Sequence, residues 1–370
     1  MVIAARREEG GLVAHALHQL EAEHVPVEAE RAVEVGDLQM DVPDVRPWVD
    51  RVRHPWPTFS QAGNPAWSSA GFSKLGALTV EREVTPSGPY SLRLSVRRSS
   101  DACRRCAGNR MVGLFHVGER VEWAGARQRG DGRIELQALS EEGLECIHGA
   151  LGLRNDHSEF LRRFGDDPLL RMPVRFMRGL RPARLATVAH SLLRAVAGQL
   201  IEARRARAIE RRVIREVTEE AWGLRAPPSV EALGRLAPAE LQRLGLSARK
   251  AATVVRLCRT VDLERLTAVD SAAVATRLER ERGLGPWSVG VVFLEGLGRF
   301  DRGLVGDLGL IKLCSALTGR RGDAADTEEL LAPYGEWAGL ASVYLLAGFA
   351  RGLLPIPVGG RRRARTRVAA

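Results

Sequence analysis

The feature that most limits how this chain can fold is a change of hydrophobic period near residue 140. Before it, apolar residues alternate: Leu78, Val80 and Val84 in one run, Leu92, Leu94 and Val96 after the turn-forming Pro86-Ser87-Gly88-Pro89, then Ile134, Leu136 and Ala138. A period of two bounded by turn residues predicts half-buried antiparallel strands. After residue 140 the period is helical, with Leu192, Val196 and Leu200 on one stripe, and Leu241, Leu244 and Leu246 ahead of Ala251, Val255 and Leu257 on others. The expected fold class is α+β: a small antiparallel sheet domain at 71–140, then a mostly helical domain at 141–355. Residues 1–70 carry Pro43, Pro47, Pro55, Pro57 and Pro65 without a sustained period. They read as a disordered or non-native extension, and 356–370, with Arg361-Arg362-Arg363-Ala364-Arg365, as a solvated basic tail.

The formal net charge of +10 suggests a polyanionic partner, since basic side chains that neutralise phosphates release condensed counterions. Nearly all of that charge is arginine, which genome base composition can also raise. No apolar run approaches the roughly 18–20 residues of a membrane span, and Glu8 and Glu9 interrupt the N-terminus before an export signal can form. A cytoplasmic location without a membrane partner is expected. Five cysteines, an odd number, argue against a disulfide framework. Cys103-x-x-Cys106 is half of a possible zinc site, but no second pair stands at matching spacing, and no four-cysteine run follows for an iron–sulfur cluster. Neither a metal nor a cofactor is expected.

The chemistry is concentrated between residues 282 and 312. Arg282-Gly283-Leu284-Gly285-Pro286-Trp287-Ser288 lies between two helical patterns. Its glycines permit a hairpin with positive φ, and Pro286 suits the first position of the next helix, which carries Val289, Val292, Phe293 and Gly296 on one face. Backbone amides at such a hairpin can bind a phosphate, although a lone Gly-x-Gly is more often a helix stop. Twenty residues after Trp287, Asp307 precedes an apolar run, Leu308-Gly309-Leu310-Ile311. Read by itself, Asp307 is a helix N-cap; the same position also holds a carboxylate rigidly at the positive end of a helix dipole.

This helix, Gly-x-Gly hairpin, helix and aspartate, in that order, resemble the helix-hairpin-helix DNA glycosylase superfamily, and within it the AlkA type of 3-methyladenine DNA glycosylase. Upstream, Gly198-Gln199-Leu200 is similar to the family's Gly-Gln-Leu element, and Leu244 to Ala251 to the segment leading into its hairpin. Downstream, Tyr334-Gly335-Glu336-Trp337 and the run to Phe349 resemble its last core helix. The resemblance spans about residues 140–350 and implies a glycosylase that acts as a monomer on duplex DNA carrying damaged bases, with nucleoid association. It assigns catalysis to Asp307, DNA contacts to Gln199, Leu200, Gly283, Leu284, Gly285 and Ser288, and the base pocket to Trp287 and Tyr344.

Trp287 stands where bifunctional members of the superfamily carry a Schiff-base lysine, so the resemblance implies a water-using, monofunctional reaction on alkylated bases. Leu200 is given as a wedge that fills the gap left by a flipped base, with an ordinary core role as the alternative; Trp287 likewise stacks on the base or packs the hairpin. The stripe of Arg204, Arg207, Arg211 and Arg215 is either a DNA-facing or a salt-bridged surface. Val291 and Leu346 depart from the family pattern, standing where pocket aromatics are expected, and Trp337 or Tyr344 would compensate. A structural monovalent ion on hairpin carbonyls near Gly283 and Gly285 also belongs to the resemblance. The alternatives are a non-catalytic helix-hairpin-helix DNA-binding protein and a glycosylase for oxidised or deaminated bases.

Overall fold

The computed structural model describes residues 79–97 and 99–356. The expected extension at 1–70, Leu78 and the arginines of the tail lie outside them. β1 (Val80–Val84), β2 (Arg104–Ala107), β3 (Arg110–Val117), β4 (Arg120–Gln128) and β5 (Ile134–Ala138) form one antiparallel sheet in the order β1-β5-β4-β3-β2. β3 and β4 are joined by Gly118-Glu119, with φ +58° at Gly118, a conformation that matches the twist of a tight hairpin.

The segment after the Pro86–Pro89 turn corrects the strand expectation for Leu92, Leu94 and Val96. Ser91 Oγ accepts from the Leu94 amide and starts a short helix, α1 (Leu92–Ser95), that buries Leu92, Ser95 and Val96. Spacings of three and four replaced the apparent spacing of two. α2 (Glu141–Ala150) lies on the sheet, placing Leu144, Ile147 and Ala150 among Leu92, Met111, Phe115 and Leu136. The sheet's core therefore runs past residue 140 as far as Leu153 and takes in Ala183. On the other face, the cross-strand pair Leu114 and Trp123 is covered by Leu224.

The remaining strands and α-helices are α3 (Ser158–Arg163), α4 (Arg171–Phe176), α5 (Val188–Gly198), α6 (Ala203–Val217), the ribbon β6 (Glu220–Ala221) and β7 (Leu224–Arg225), α7 (Val230–Arg235), α8 (Pro238–Arg243), α9 (Ala248–Thr260), α10 (Ser271–Glu279), α11 (Pro286–Val291), α12 (Leu308–Thr318), α13 (Ala324–Leu331) and α14 (Ala338–Phe349). A π-helical segment, Val292–Leu297, continues α11. No described helix is long and apolar enough to cross a membrane.

α5 is the axis of the helical body: every residue from Val188 to Ala197 is buried. Among them is Arg194, 7% exposed, whose guanidinium meets Glu210 of α6 at 2.7 Å, Glu295 of the π segment at 2.6 Å and Asp101 of the sheet lobe at 2.8 Å. Arg104 pairs with Asp101 and Arg207 with Glu210, so three guanidiniums face three carboxylates. Arg207 thus belongs to an internal network, which answers for that residue the question left open by the arginine stripe. The network joins the sheet lobe, α5, α6 and the helix that follows the hairpin.

Candidate active site

α5 ends at Gly198, where a side chain has no room: a Cβ would lie 2.7 Å from Cη2 of the Trp287 ring. The indole occupies that space and is half-buried. Next comes Gln199, which leaves the helix with ψ 124° and turns its side chain inward. Its Nε2 donates to the Gly283 carbonyl at 2.7 Å and to Ser288 Oγ at 2.9 Å. Ser288 is 2% exposed, so its expected DNA contact is corrected: the hydroxyl faces Gln199 inside the protein. Gln199 couples the end of α5 to the hairpin.

Leu200 does not continue the α5 stripe. It is 93% exposed and has φ +55°, a left-handed conformation that a branched aliphatic side chain adopts at a cost of about 1–3 kcal/mol. The core alternative for Leu200 fails on these two observations. Leu200→Ala is expected to change stability by less than about 0.5 kcal/mol, against about 2–5 kcal/mol for a core leucine. If the side chain is a wedge, the same variant lowers excision from duplex DNA by about 10–100-fold, the equivalent of burying one leucine. Thermal melting and single-turnover base release check the two expectations together.

The hairpin between α10 and α11 needs positive φ only at Gly283, +93°, where a Cβ would also strike Thr253 Oγ1 at 2.4 Å. Gly285 has an ordinary φ of −108° and serves as the N-cap of α11, with Pro286 at the first helical position. Leu284 turns into the core, 8% exposed, and its amide bonds the Glu281 carbonyl at 3.1 Å. Among the described residues no acceptor engages the amides of Gly283 and Gly285; these are the hairpin's open donors.

Asp307 is an N-cap and more. Its Oδ1 accepts from the amides of Gly309 at 2.7 Å and Leu310 at 3.3 Å, starting α12, while Oδ2 accepts from Trp287 Nε1 at 3.0 Å. One oxygen is spent on the helix; the other is aimed by a single indole N–H and keeps acceptor capacity for something else. Gly309 lets Leu346 of α14 approach: a Cβ there would sit 2.5 Å from Leu346 Cδ2. Leu308, directly after Asp307, is half exposed. Leu200, Gln199, Ser288, Trp287 and Asp307 are thereby connected side by side across more than 100 residues of sequence.

Tyr344 is not part of this surface, which corrects its assignment to the base pocket. It is fully buried, its hydroxyl donates to the Met177 carbonyl at 2.8 Å, and its ring packs on Phe160 at 5.1 Å. Trp337 belongs to the same aromatic cluster, 5.8 Å from Phe160. Val291 is buried.

Asp101, His190 and Glu210 bring ligand atoms within 4.8 Å of one another, but Arg194 already supplies the cation there, and the His190 imidazole bonds Glu210 at 2.7 Å. At the hairpin, the carbonyls of Arg282, Gly283 and Gly285 accept from Arg256, Gln199 and the Val289 amide respectively. Each is thus already engaged within the protein through one of its two lone pairs. Cys103 Sγ faces the Ala226 carbonyl, and burial pushes the Cys106 thiol up to about 11.

No family model matches the chain. A DNA-3-methyladenine glycosylase of Bacillus subtilis is 27% identical over 227 residues, which cover 58% of this chain and 75% of that protein. The solved 3-methyladenine DNA glycosylase of Archaeoglobus fulgidus superposes with a TM-score of 0.61 at 21% identity, over 73% of this chain and 97% of the other. The apo 8-oxoguanine glycosylase/lyase of Clostridium acetobutylicum gives 0.58 at 15% identity, over 74% and 98%. The chain therefore shares the fold of solved DNA glycosylases and sequence similarity with a DNA-3-methyladenine glycosylase, and these likenesses support a place in the helix-hairpin-helix DNA glycosylase superfamily.

Proposed function

We propose that this DNA glycosylase hydrolyses the N-glycosidic bond of alkylated bases of the 3-methyladenine kind in duplex DNA, as a monomer in the cytoplasm, and leaves the backbone uncut. The observation that carries the reading is the Trp287–Asp307 bond of 3.0 Å: an indole, not an amine, stands beside the carboxylate. The described residues hold two lysines, Lys250 and Lys312, and neither lies on the hairpin. Without an amine at C1′ the nucleophile is water.

The reaction follows from these groups. A base alkylated on a ring nitrogen is already cationic, so it leaves with the glycosidic electron pair and becomes neutral, needing no acid. Positive charge then builds on the deoxyribose, and Asp307 Oδ2 faces it as a fixed negative charge. Water adds to C1′ and gives its proton to the carboxylate or to solvent. The Trp287 indole offers an electron-rich face to a cationic base. Leu200 plugs the stack that the flipped nucleotide has left, and the Gly283 and Gly285 amides bind backbone phosphate.

The test is release of free base from dimethyl-sulfate-treated duplex DNA, with a panel of duplexes carrying 8-oxoguanine, uracil or hypoxanthine and a borohydride trapping reaction alongside. Release of methylated purines with no trapped adduct is expected. Release confined to an oxidised or deaminated base, or a covalent adduct, overturns the reading.

A further inference from the structure

α5 ends beside the wedge with its last carbonyls pointing out of the helix, and such groups need donors. The donor is a residue on another helix. Lys250, in the first turn of α9, places Nζ 3.2 Å from the Ala197 carbonyl and 2.7 Å from the Gln199 carbonyl. The first belongs to the helix; the second is outside it, on the residue that precedes Leu200. Gln199 is therefore held at both ends, its backbone by Lys250 and its side chain by Gly283 and Ser288.

We propose that Lys250 is a positioning residue for strand insertion, its ammonium clamping the Ala197 and Gln199 carbonyls so that Leu200 stands ready-formed toward the duplex. A non-glycine residue at φ +55° persists only where its surroundings over-determine it, and Leu200 is too exposed for packing to hold it. The two clamped peptides before it are what remain. Burial, then nearby Arg205, lowers the Lys250 pKa from its ordinary value, as expected for a cation partly withdrawn from water to serve these carbonyls. A cation at the C-terminal end of α5 also complements that helix's dipole. The inference rests on the reading of Leu200 as a wedge, but not on which base is excised.

The experiment separates insertion from chemistry. A duplex carries a tetrahydrofuran abasic analogue opposite 2-aminopurine, whose fluorescence reports entry of the wedge, while a distant label reports binding by anisotropy. Wild type should bind and change the fluorescence; Leu200→Ala should bind without the change. Lys250→Met should do the same, with an inserted population at least about tenfold lower, as loss of two hydrogen bonds to a charged donor implies, and Lys250→Arg should restore it. Should the Met variant melt well below wild type, Lys250→Gln replaces it with the same split expected. A Lys250 variant that is folded, binds and inserts as wild type does overturns the proposal. Base release from methylated DNA is measured in parallel: its absence in a wild type that still inserts counts against the alkylated substrate and leaves the role of Lys250 standing.

Discussion

Asp307→Asn should release alkylated base about 10²–10³ times more slowly than wild type while binding DNA as well or better. The amide is nearly isosteric and keeps one carbonyl oxygen, which can still cap α12 through Gly309 and Leu310. Fold stability should fall by about 1 kcal/mol or less. What is lost is the charge on the oxygen that Trp287 aims, the one not consumed by the helix. On the proposed reading this surface faces DNA phosphates, and removing an anion from it does not weaken binding. Single-turnover release, a gel shift and a melting curve measured together decide the matter. An Asn variant that works at the wild-type rate leaves Asp307 as a cap only, and the non-catalytic reading of the hairpin would then stand.

How much of this was legible in the sequence depends on how local each signal is. The hairpin and the Asp307 cap were readable because glycine at positive φ, proline at the first helical position and aspartate before an apolar run each act within a few residues. Leu92–Ser95 was misread because a four-residue helix offers no full period to set against an alternation of two. Tyr344 was misplaced for the opposite reason. α14 is buried on nearly every side, with Leu340, Ala341, Tyr344 and Leu345 all inaccessible, so its sequence marks no outward face. Ser288 and Gln199 looked free for DNA because their partners lie 84 to 89 residues away. Lys250 left no signal but its charge at the start of a helix. Arg194 did leave one: an arginine set among Leu192, Leu193, Ala195, Val196 and Ala197 asks for a buried counter-charge, although nothing local says which.

Arg194→Met should destabilise the fold by about 3–5 kcal/mol at neutral pH, the usual loss when one partner of a buried ion pair is removed. That is a large share of the roughly 5–15 kcal/mol that holds a domain together. Methionine keeps an unbranched apolar stem like that of arginine, so the main loss is the charge. Glu210, 1% exposed, and the carboxylate of Asp101 lose their central cation, and Glu295 loses its bond to α5. The sign of the pH dependence identifies the cause. In the native protein burial tends to raise these three carboxyls, yet the opposing arginines, Arg194 foremost for Glu210 and Glu295, bring all of them below their ordinary values. Groups depressed in this way contribute stability above their unfolded pKa, near 4, and lose it as pH falls through the folded values. In the variant Asp101 keeps Arg104, but burial outweighs what remains around Glu210 and Glu295, whose folded pKa values rise, so protonation relieves the cost. The deficit relative to wild type should therefore be largest near pH 7 and shrink as pH approaches about 4, read as converging urea midpoints. A deficit that stays constant with pH would mean that Arg194 acts through packing. Because Arg194 ties Asp101 of the sheet lobe to α5 and to the helix after the hairpin, the variant should also loosen the Gly198–Trp287 contact, and base release should fail at temperatures where the remaining fold still melts cooperatively.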